Sequence, residues 1–289
     1  MERRDGYLRR IHARYPDLTI TAARLDTQGQ NNVALIVNDA IIFRFPRYAD
    51  AIVPLRTEAA ILRALPPAMP LPVPDPTYAW LDTDAPDEAF IGYRMLPGEP
   101  LWPDMLTALD AASITTIAAQ LAAFLRALHA APTAALPTDL SIADEAHVWS
   151  EMYARIQLSL FPHMRPDARA WVTEHFTTFL DDPQNHAWTP VLRHGDFGPS
   201  NILFDPATRA VTGIIDFDSA ALGDPAVDVA ALAGYGQEFG VAFHAAYPEM
   251  AAVAHRVAFY AGTFALQEAL FGAEHDDPEA FANGIAPYQ

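Results

Sequence analysis

The chain contains neither cysteine nor lysine among its 289 residues. Without cysteine it forms no disulfide and has no thiol nucleophile or cysteine-ligated zinc site. This composition is compatible with the cytoplasm, where we expect the protein to be located. All 18 basic residues are arginine, against 36 acidic residues, so the formal net charge is −18. Such a charge disfavours nucleic acid and anionic membranes as partners. It either attracts a cationic small molecule or serves only to keep the protein soluble.

No stretch of the sequence is typical of a signal peptide or a membrane span. Residues 1–16 are basic and lack the apolar core of a signal peptide. The longest apolar stretch, residues 111–136, is interrupted by Gln120, Arg126 and His129, and it therefore predicts a buried helix. The apolar fraction of 51% is sufficient for a hydrophobic core, and the length allows one large domain or two lobes.

Residues 193–228 carry several carboxylates next to short apolar runs. Asp216 directly follows the apolar pair at 214–215, and a carboxylate at the end of a buried strand is unfavourable unless it is paired or holds a metal. Asp196 and Asn201 precede it and lie five residues apart. In phosphoryl transfer, one carboxylate orients the attacking hydroxyl, while an amide oxygen and a second carboxylate hold Mg²⁺. The pattern predicts Asp196, Asn201 and Asp216 as catalytic residues, with the last two as Mg²⁺ ligands.

The motifs HGDFGPSNILFD and GIIDFDSAALGDPAVDVA resemble those of the aminoglycoside and macrolide phosphotransferases. The resemblance is closest to the branch that phosphorylates the 2″ hydroxyl of aminoglycosides. It implies an α+β, two-lobed, protein-kinase-like fold, with an antiparallel sheet plus a helix in the N-terminal lobe and a mainly helical C-terminal lobe. It also implies ATP or GTP as the phosphate donor, Mg²⁺ as cofactor, and a hydroxyl group of an aminoglycoside-like antibiotic as the acceptor.

Short apolar runs separated by turns predict an antiparallel meander in the N-terminal part of the chain. The strands are expected at residues 18–25, 33–37, 40–45, 78–81 and 89–93, and the helices at about 5–14 and at 54–65. Residues 66–76 contain six prolines, which excludes a helix there. We therefore expect a nucleotide-binding lobe at residues 1–93, a hinge at 94–101, and a helical lobe with the catalytic loop and acceptor site at 102–289.

The apolar spacing becomes helical after the hinge. The helices are expected at residues 110–130, 141–160, 166–180, 251–271 and 278–283. Another helix is expected to begin with Asp224 as its N-cap and Pro225 at its first position. Asp224 is therefore predicted to be a cap and not a metal ligand, and Asp228, one turn later, is predicted to brace the catalytic loop.

The resemblance also implies a nucleotide site between the lobes. Gly29 lies in the loop that covers the nucleotide phosphates in the family. Arg44 stands where kinases have a lysine that contacts the α- and β-phosphates, and Glu58 would hold it in place. The backbone of Arg94 and Leu96 is expected to pair with the purine ring.

Arg44 alternates with Phe43 and Phe45 along its strand. Its side chain is therefore expected to face the cleft, while both aromatic rings pack on the opposite side. A guanidinium is always charged and binds phosphate in a bidentate manner, so it can replace the ammonium group of lysine. The missing lysine is also the one feature that favours an alternative, a degenerate kinase that binds nucleotide without transferring phosphate.

The acceptor-binding candidates are Tyr235, Glu238 and Glu268, together with Asp196 beside the reacting hydroxyl. Family members bind the acceptor in the C-terminal lobe, where carboxylates would pair with substrate ammonium groups. A solvated helix face is the alternative for each of these acidic residues. The identity of the acceptor stays open, because the segment IIFRFPR also resembles macrolide phosphotransferases, and a housekeeping amino-alcohol or sugar kinase would differ only in its acceptor.

Overall fold

The computed structural model describes residues 2–26, 32–65, 67, 69–137, 140, 142 and 144–289. Gly29, which the sequence places over the nucleotide phosphates, lies outside the described residues.

A five-stranded antiparallel sheet forms the N-terminal part of the described chain, in the strand order β1-β2-β3-β5-β4. Its strands are β1 (Ala23–Asp26), β2 (Asn32–Val37), β3 (Ile41–Pro46), β4 (Tyr78–Trp80) and β5 (Phe90–Arg94). Helix α1 (Glu2–Arg14) packs on one face of the sheet, against the buried rings of Phe43 and Phe45. Helix α2 (Ile52–Ala64) packs on the other face of the sheet. Alternate residues of β3 therefore face different helices, as the alternation in its sequence predicts.

The first strand is shorter than predicted, because residues 18–22 lie outside it. The side chain of Asn38 supplies the hydrogen bonds there instead of a neighbouring strand. Its Oδ1 accepts from the backbone N–H groups of Thr21 at 2.8 Å and Ala22 at 3.0 Å, and its Nδ2 donates to Thr19 O at 2.8 Å. The ladder between β1 and β2 therefore begins at Ala23.

The rest of the described chain is mainly helical. Its helices are α3 (Pro103–Leu106), α4 (Ala111–His129), α5 (Glu145–Ser159), α6 (Pro166–Leu180), α7 (Ala226–Ala230), α8 (Gly236–Ala246), α9 (Ala254–Glu274) and α10 (Pro278–Ile285). The prediction that a helix begins near residue 141 is wrong, because Asp144 caps α5 by accepting from His147 N–H at 3.1 Å. A 3₁₀ helix (Pro248–Val253) precedes α9, which therefore starts later than predicted, and α8 was not predicted.

Helix α4 is the one helix in the described part of the chain that is long and apolar enough to cross a membrane. In the structure it lies in the larger hydrophobic core, where the ring of Phe124 stacks on that of Phe197 at 5.8 Å. Its N-terminus is capped by Asp110, which accepts from Ser113 N–H at 2.8 Å. This packing agrees with the prediction of a buried helix.

Two small sheets position the segments that carry the candidate catalytic residues. One pairs β7 (Val191–Arg193) with β10 (Ala221–Gly223), and the other has the order β6-β8-β9, with β6 at Glu99–Pro100, β8 at Ile202–Asp205 and β9 at Ala210–Ile214. Residues 194–201 form the loop between β7 and β8, and Asp216 follows β9. Because β8 pairs with β9, the loop and the end of β9 are brought together.

Candidate active site

Asp196 and Asn201 lie on the loop between β7 and β8, and their side chains are in contact. Asn201 is buried, and its Nδ2 donates to Asp196 O at 2.9 Å and to Asp196 Oδ2 at 2.8 Å. Asp196 is exposed. One oxygen of this carboxylate is therefore held in place, while Oδ1 forms no hydrogen bond within the described chain and can accept one from a ligand hydroxyl.

Asp228 on α7 braces the start of this loop. Its two carboxylate oxygens accept from the backbone N–H groups of His194 at 2.9 Å and Gly195 at 2.8 Å. His129 on α4 also contacts it, through Nε2 at 3.1 Å from Asp228 Oδ2, and its Nδ1 lies 3.1 Å from the hydroxyl of Tyr247. Burial raises the pKa of Asp228, but the bonds from His129 and the backbone outweigh it and leave the pKa below the ordinary value. Asp228 is therefore an ionised brace.

Gly195 is required by two features of the backbone. Its φ is +83°, and a Cβ at this position would lie 2.2 Å from Ser219 O. A side chain would therefore separate the loop from residues 216–219. The tight approach explains why glycine stands at the middle position of His-Gly-Asp.

His194 connects the loop to the end of β9. Its Nε2 donates to Ile215 O at 3.0 Å, and its Nδ1 accepts from Asp196 N–H at 3.3 Å. Its ring also packs against the ring of Phe217 at 4.6 Å. The imidazole therefore fixes the backbone of Asp196 relative to that of Asp216.

Asp216 has a φ of 64°, which is uncommon for a residue other than glycine. Such backbone strain persists only where the surrounding structure holds it, and it concentrates at functional sites. Here it accompanies an ion pair, since Asp216 Oδ1 lies 3.1 Å from the Arg44 guanidinium, and Asp218 Oδ2 lies 3.7 Å from the same group. Arg44 also pairs with Glu58 Oε1 at 2.6 Å. Its guanidinium therefore lies among three carboxylates, those of Glu58, Asp216 and Asp218.

Within this cluster the Arg44–Glu58 pair is almost fully buried, with side-chain exposures of 9% and 0%, whereas Asp216 is 41% exposed. Burial would lower the pKa of Arg44, but the surrounding carboxylates raise it, so the guanidinium stays charged. Burial raises the pKa of Glu58 to about 7, with Asp216 and Asp218 acting in the same direction and Arg44 against it. Glu58 therefore takes up a proton more readily than a solvated glutamate does.

Asn201 and Asp216 fit the chemistry of a magnesium site. Asp216 Oδ1 is buried and has no hydrogen-bond partner in the described chain, although it lies within ion-pair distance of Arg44. Asn201 uses its Nδ2 to hold Asp196, and its amide oxygen is an atom of the kind that Mg²⁺ prefers. The described residues contain no cluster of three or more His, Cys, Asp or Glu side chains suited to a metal. Mg²⁺ needs no such cluster, because it is commonly bound by one or two protein oxygens together with substrate phosphates.

Arg94 and Leu96 lie where the five-stranded sheet meets the helical part. Arg94 is exposed at the end of β5, and the next residue, Met95, donates its N–H to Ala40 O at 2.9 Å. The side chain of Leu96 covers Gly213 of β9, where a Cβ would lie 2.6 Å from Leu96 Cδ1. The backbone N–H of Leu96 forms no hydrogen bond to other backbone groups among the described residues.

Tyr235 is not available to an acceptor. It is only 7% exposed, belongs to the main hydrophobic core, and donates its hydroxyl to Leu101 O at 2.8 Å. The sequence could not show this, because tyrosine is common both in cores and in binding sites. Glu238 on α8 and Glu268 on α9 are exposed.

Asp224 is fully buried and acts as more than a helix cap. Its Oδ1 accepts from Ala226 N–H at 3.0 Å, as a cap would, although the helix begins at Ala226 and not at Pro225. Its Oδ2 also accepts from Arg256 at 2.7 Å and from the hydroxyl of Tyr260 at 3.0 Å. These partners on α9 were not predicted from the sequence. The only sign of the role of His129 in the sequence is its position as a polar residue in an apolar stretch.

The sequence matches the model of the phosphotransferase enzyme family over residues 22–260. It is 32% identical to the viomycin phosphotransferase of Streptomyces vinaceus over 216 aligned residues. The aligned region covers 72% of this chain and 71% of that protein. It is also 28% identical to the aminoglycoside 3'-phosphotransferase of Streptomyces fradiae over 159 aligned residues. This aligned region covers 54% of this chain and 53% of that protein.

Solved structures share the fold over nearly the whole chain. The GDP and kanamycin complex of APH(2")-IIia superposes with a TM-score of 0.86 and 26% identity, covering 97% of this chain and 96% of that one. The macrolide 2'-phosphotransferase type I superposes with a TM-score of 0.73 and 23% identity, covering 98% and 96%. The second similarity concerns the fold alone.

Proposed function

The chain belongs to the phosphotransferase enzyme family, and on that premise we propose that it transfers the γ-phosphate of ATP or GTP to a hydroxyl group of an aminoglycoside-like antibiotic. One observation carries this proposal. The exposed carboxylate of Asp196 is held by Asn201, and the buried guanidinium of Arg44 pairs with the partly exposed Asp216. These are the parts that phosphoryl transfer needs, namely a group that orients the nucleophile and charges that hold the phosphates.

In this mechanism Asp196 accepts a hydrogen bond from the acceptor hydroxyl and takes its proton as the oxygen attacks the γ-phosphorus. The bond from the γ-phosphorus to the β–γ bridging oxygen breaks, and the nucleoside diphosphate leaves. Arg44 binds the α- and β-phosphates, which then replace Asp216 as its partner, while Glu58 keeps it in position. Asn201 and Asp216 would hold Mg²⁺, which neutralises phosphate charge when bound.

The nucleotide would lie between an N-terminal lobe at residues 1–93 and a helical lobe at residues 102–289, joined by the hinge at 94–101. The purine ring would pair with the backbone C=O of Arg94 and the backbone N–H of Leu96. The absence of a backbone partner for the Leu96 N–H among the described residues supports this pairing. Gly29 keeps its proposed place over the phosphates on the resemblance alone. A cytoplasmic location is part of the proposal, since nucleoside triphosphates are found there.

The acceptor is proposed to be cationic. The net charge of −18 favours a cation, and exposed Glu238 and Glu268 are available to pair with ammonium groups. The relatives named above support antibiotics as acceptors, since one is a viomycin phosphotransferase and another is a complex with kanamycin. A macrolide is the second candidate, because a macrolide phosphotransferase shares the fold.

The test is a transfer assay with ATP or GTP and Mg²⁺ against kanamycin, viomycin, a macrolide and an amino alcohol, with the products identified by mass spectrometry. We expect phosphorylation of a cationic antibiotic. Asp196→Asn is expected to lower the transfer rate by about 10²–10⁴-fold, the usual effect of losing a general base, while nucleotide binding is kept. Asp181→Asn, an exposed aspartate at the end of α6, is the control and should behave like the wild type.

Two results would count against the proposal. Transfer by Asp196→Asn at nearly the wild-type rate would remove Asp196 from its role. Nucleotide binding without phosphorylation of any acceptor in the panel would instead favour the degenerate kinase.

A further inference from the structure

A cavity of about 670 Å³ lies between α6, α9 and the 3₁₀ turn at Pro183–His186. Its volume is in the range of small-molecule sites, which is about 300–1,000 Å³. It is separate from the proposed transfer site, because neither Arg44, Asp196, Asn201 nor Asp216 lines it.

Stacked aromatic rings form one wall of this cavity. The ring of Trp171, which is 44% exposed, stacks on that of His175 at 4.7 Å, and His175 stacks on Phe259 at 5.0 Å. Burial lowers the pKa of His175, and its Nε2 donates to Phe259 O at 3.0 Å, so the imidazole is a neutral aromatic surface at pH 7. The wall therefore offers a flat platform to another ring.

Asn185, a residue of the cavity wall, carries a hydrogen-bond acceptor that has no partner. Asn185 is 5% exposed, and its Nδ2 donates to Phe179 O at 3.0 Å. Its Oδ1 is buried and accepts no hydrogen bond in the described chain. A buried polar atom without a partner is unfavourable, so a turn of the Asn185 amide that brings Oδ1 to a ligand N–H would be favoured.

The charges at the cavity select the kind of donor. Glu174 and Asp182 are exposed lining residues, and neither forms a salt bridge with a described arginine or histidine. Asp182 does accept from Gln184 N–H at 2.9 Å. His255 also lines the cavity. Two carboxylates and a carbonyl oxygen favour a positively charged donor over a neutral one.

We propose that this cavity is a second small-molecule site that binds aromatic primary ammonium compounds. The ring of the ligand lies on Trp171 and His175. Its ammonium group faces Glu174 and Asp182, and the amide of Asn185 turns toward the cavity so that its Oδ1 accepts from the ammonium. Binding here involves no phosphate transfer and does not depend on the identity of the antibiotic acceptor.

The test is isothermal titration calorimetry of the full chain with 2-phenylethylammonium as the probe. Its neutral counterpart 2-phenylethanol and the ring-free propylammonium are the matched compounds. We expect the aromatic ammonium to bind, and each matched compound to bind at least severalfold more weakly. The titration is repeated with saturating ATP and Mg²⁺, which should leave the affinity unchanged.

Variants at the exposed rim identify the site. Trp171→Ala and Glu174→Gln are each expected to raise the Kd by about twofold to tenfold, since stacking and exposed charge contacts contribute little individually. Asp181→Asn is the matched control, because it removes a carboxylate next to Asp182 that does not line the cavity. Asn185→Leu should weaken binding further, with thermal unfolding recorded to show that the variant is folded.

The proposal is overturned if the probe does not bind at millimolar concentration, or if all three compounds bind equally. It is also overturned if ATP displaces the probe, or if Trp171→Ala and Glu174→Gln both bind like the control. The two rim variants change exposed side chains. They therefore keep the test valid even if Asn185→Leu fails to fold. Because binding alone is measured, failure here leaves the proposed phosphotransferase activity untouched.

Discussion

Replacing Arg44 by methionine should destabilise the protein more than any other single arginine change in the sheet. The substitution keeps most of the side-chain volume but removes the charge that pairs with Glu58 at 2.6 Å and with Asp216 at 3.1 Å. Glu58 is 0% exposed, so its charge would be left buried without a cation. Breaking one partner of a buried pair lowers the free energy of unfolding by about 3–5 kcal/mol.

The loss should depend on pH, because Glu58 can escape the penalty by taking up a proton. Burial already raises the pKa of Glu58 to about 7 from its ordinary value of 4.5, and removing Arg44 raises it further. A carboxyl with a raised pKa in the folded protein stabilises the fold at low pH. That contribution is complete at a pH below the pKa of glutamate in the unfolded chain. It is lost as the pH rises through the pKa of Glu58 in the folded protein. We therefore expect a smaller loss at pH 6 than at pH 8.

Urea unfolding followed by tryptophan fluorescence at pH 6 and pH 8 measures this directly. The double variant Arg44→Met/Glu58→Gln should recover much of the loss, since it removes both charges at similar volume. Arg24→Met is the control, because Arg24 also lies in the sheet but pairs with Asp39 at 3.5 Å in an exposed position. Such exposed pairs contribute about 0–1 kcal/mol.

If Arg44→Met lost no more stability than Arg24→Met, the buried pair of Arg44 and Glu58 would not have the stabilising role assigned to it. A loss that was equal at pH 6 and pH 8 would also contradict the assigned role of Glu58.

Independently of stability, Arg44→Ala is expected to lose most nucleotide affinity or turnover, and Arg47→Ala should have a milder effect. If Arg44→Ala retained parental affinity and turnover, the phosphates would have another partner.

Three further predictions follow from the site. Asp216→Ala should abolish Mg²⁺-dependent nucleotide binding in a titration with and without the metal, and an unchanged metal dependence would exclude Asp216 as a ligand. Gly195→Ala should unfold at lower urea concentration and transfer phosphate more slowly, because its φ is +83° and the new Cβ would lie 2.2 Å from Ser219 O; wild-type behaviour would show that the loop can relax. The KM for a cationic acceptor should rise with salt through screening, and a neutral acceptor used efficiently without a salt effect would contradict a cationic substrate.

The sequence alone was sufficient for the features that depend on neighbouring residues. The order and spacing of Asp196, Asn201 and Asp216 within one stretch indicated phosphoryl transfer before any contact was known. Alternation along β3 also indicated that Arg44 faces away from Phe43 and Phe45, because successive residues of a strand point to opposite faces. Such periodicity indicates whether a segment is a strand or a helix. It therefore predicted the succession of strands and helices along the N-terminal part of the chain.

Only the tertiary structure decided which distant residues share a buried environment. His129 and Asp228 are 99 positions apart, yet their contact helps to brace the loop that carries Asp196 and Asn201. Tyr235 looked available for an acceptor, but its hydroxyl is taken by Leu101, 134 positions away. The meeting of Arg44 with Asp216 likewise requires the sheet and the catalytic loop to pack together. Periodicity within a segment carries no information about such partners, because the burial of a polar group and its partner are set by packing between segments.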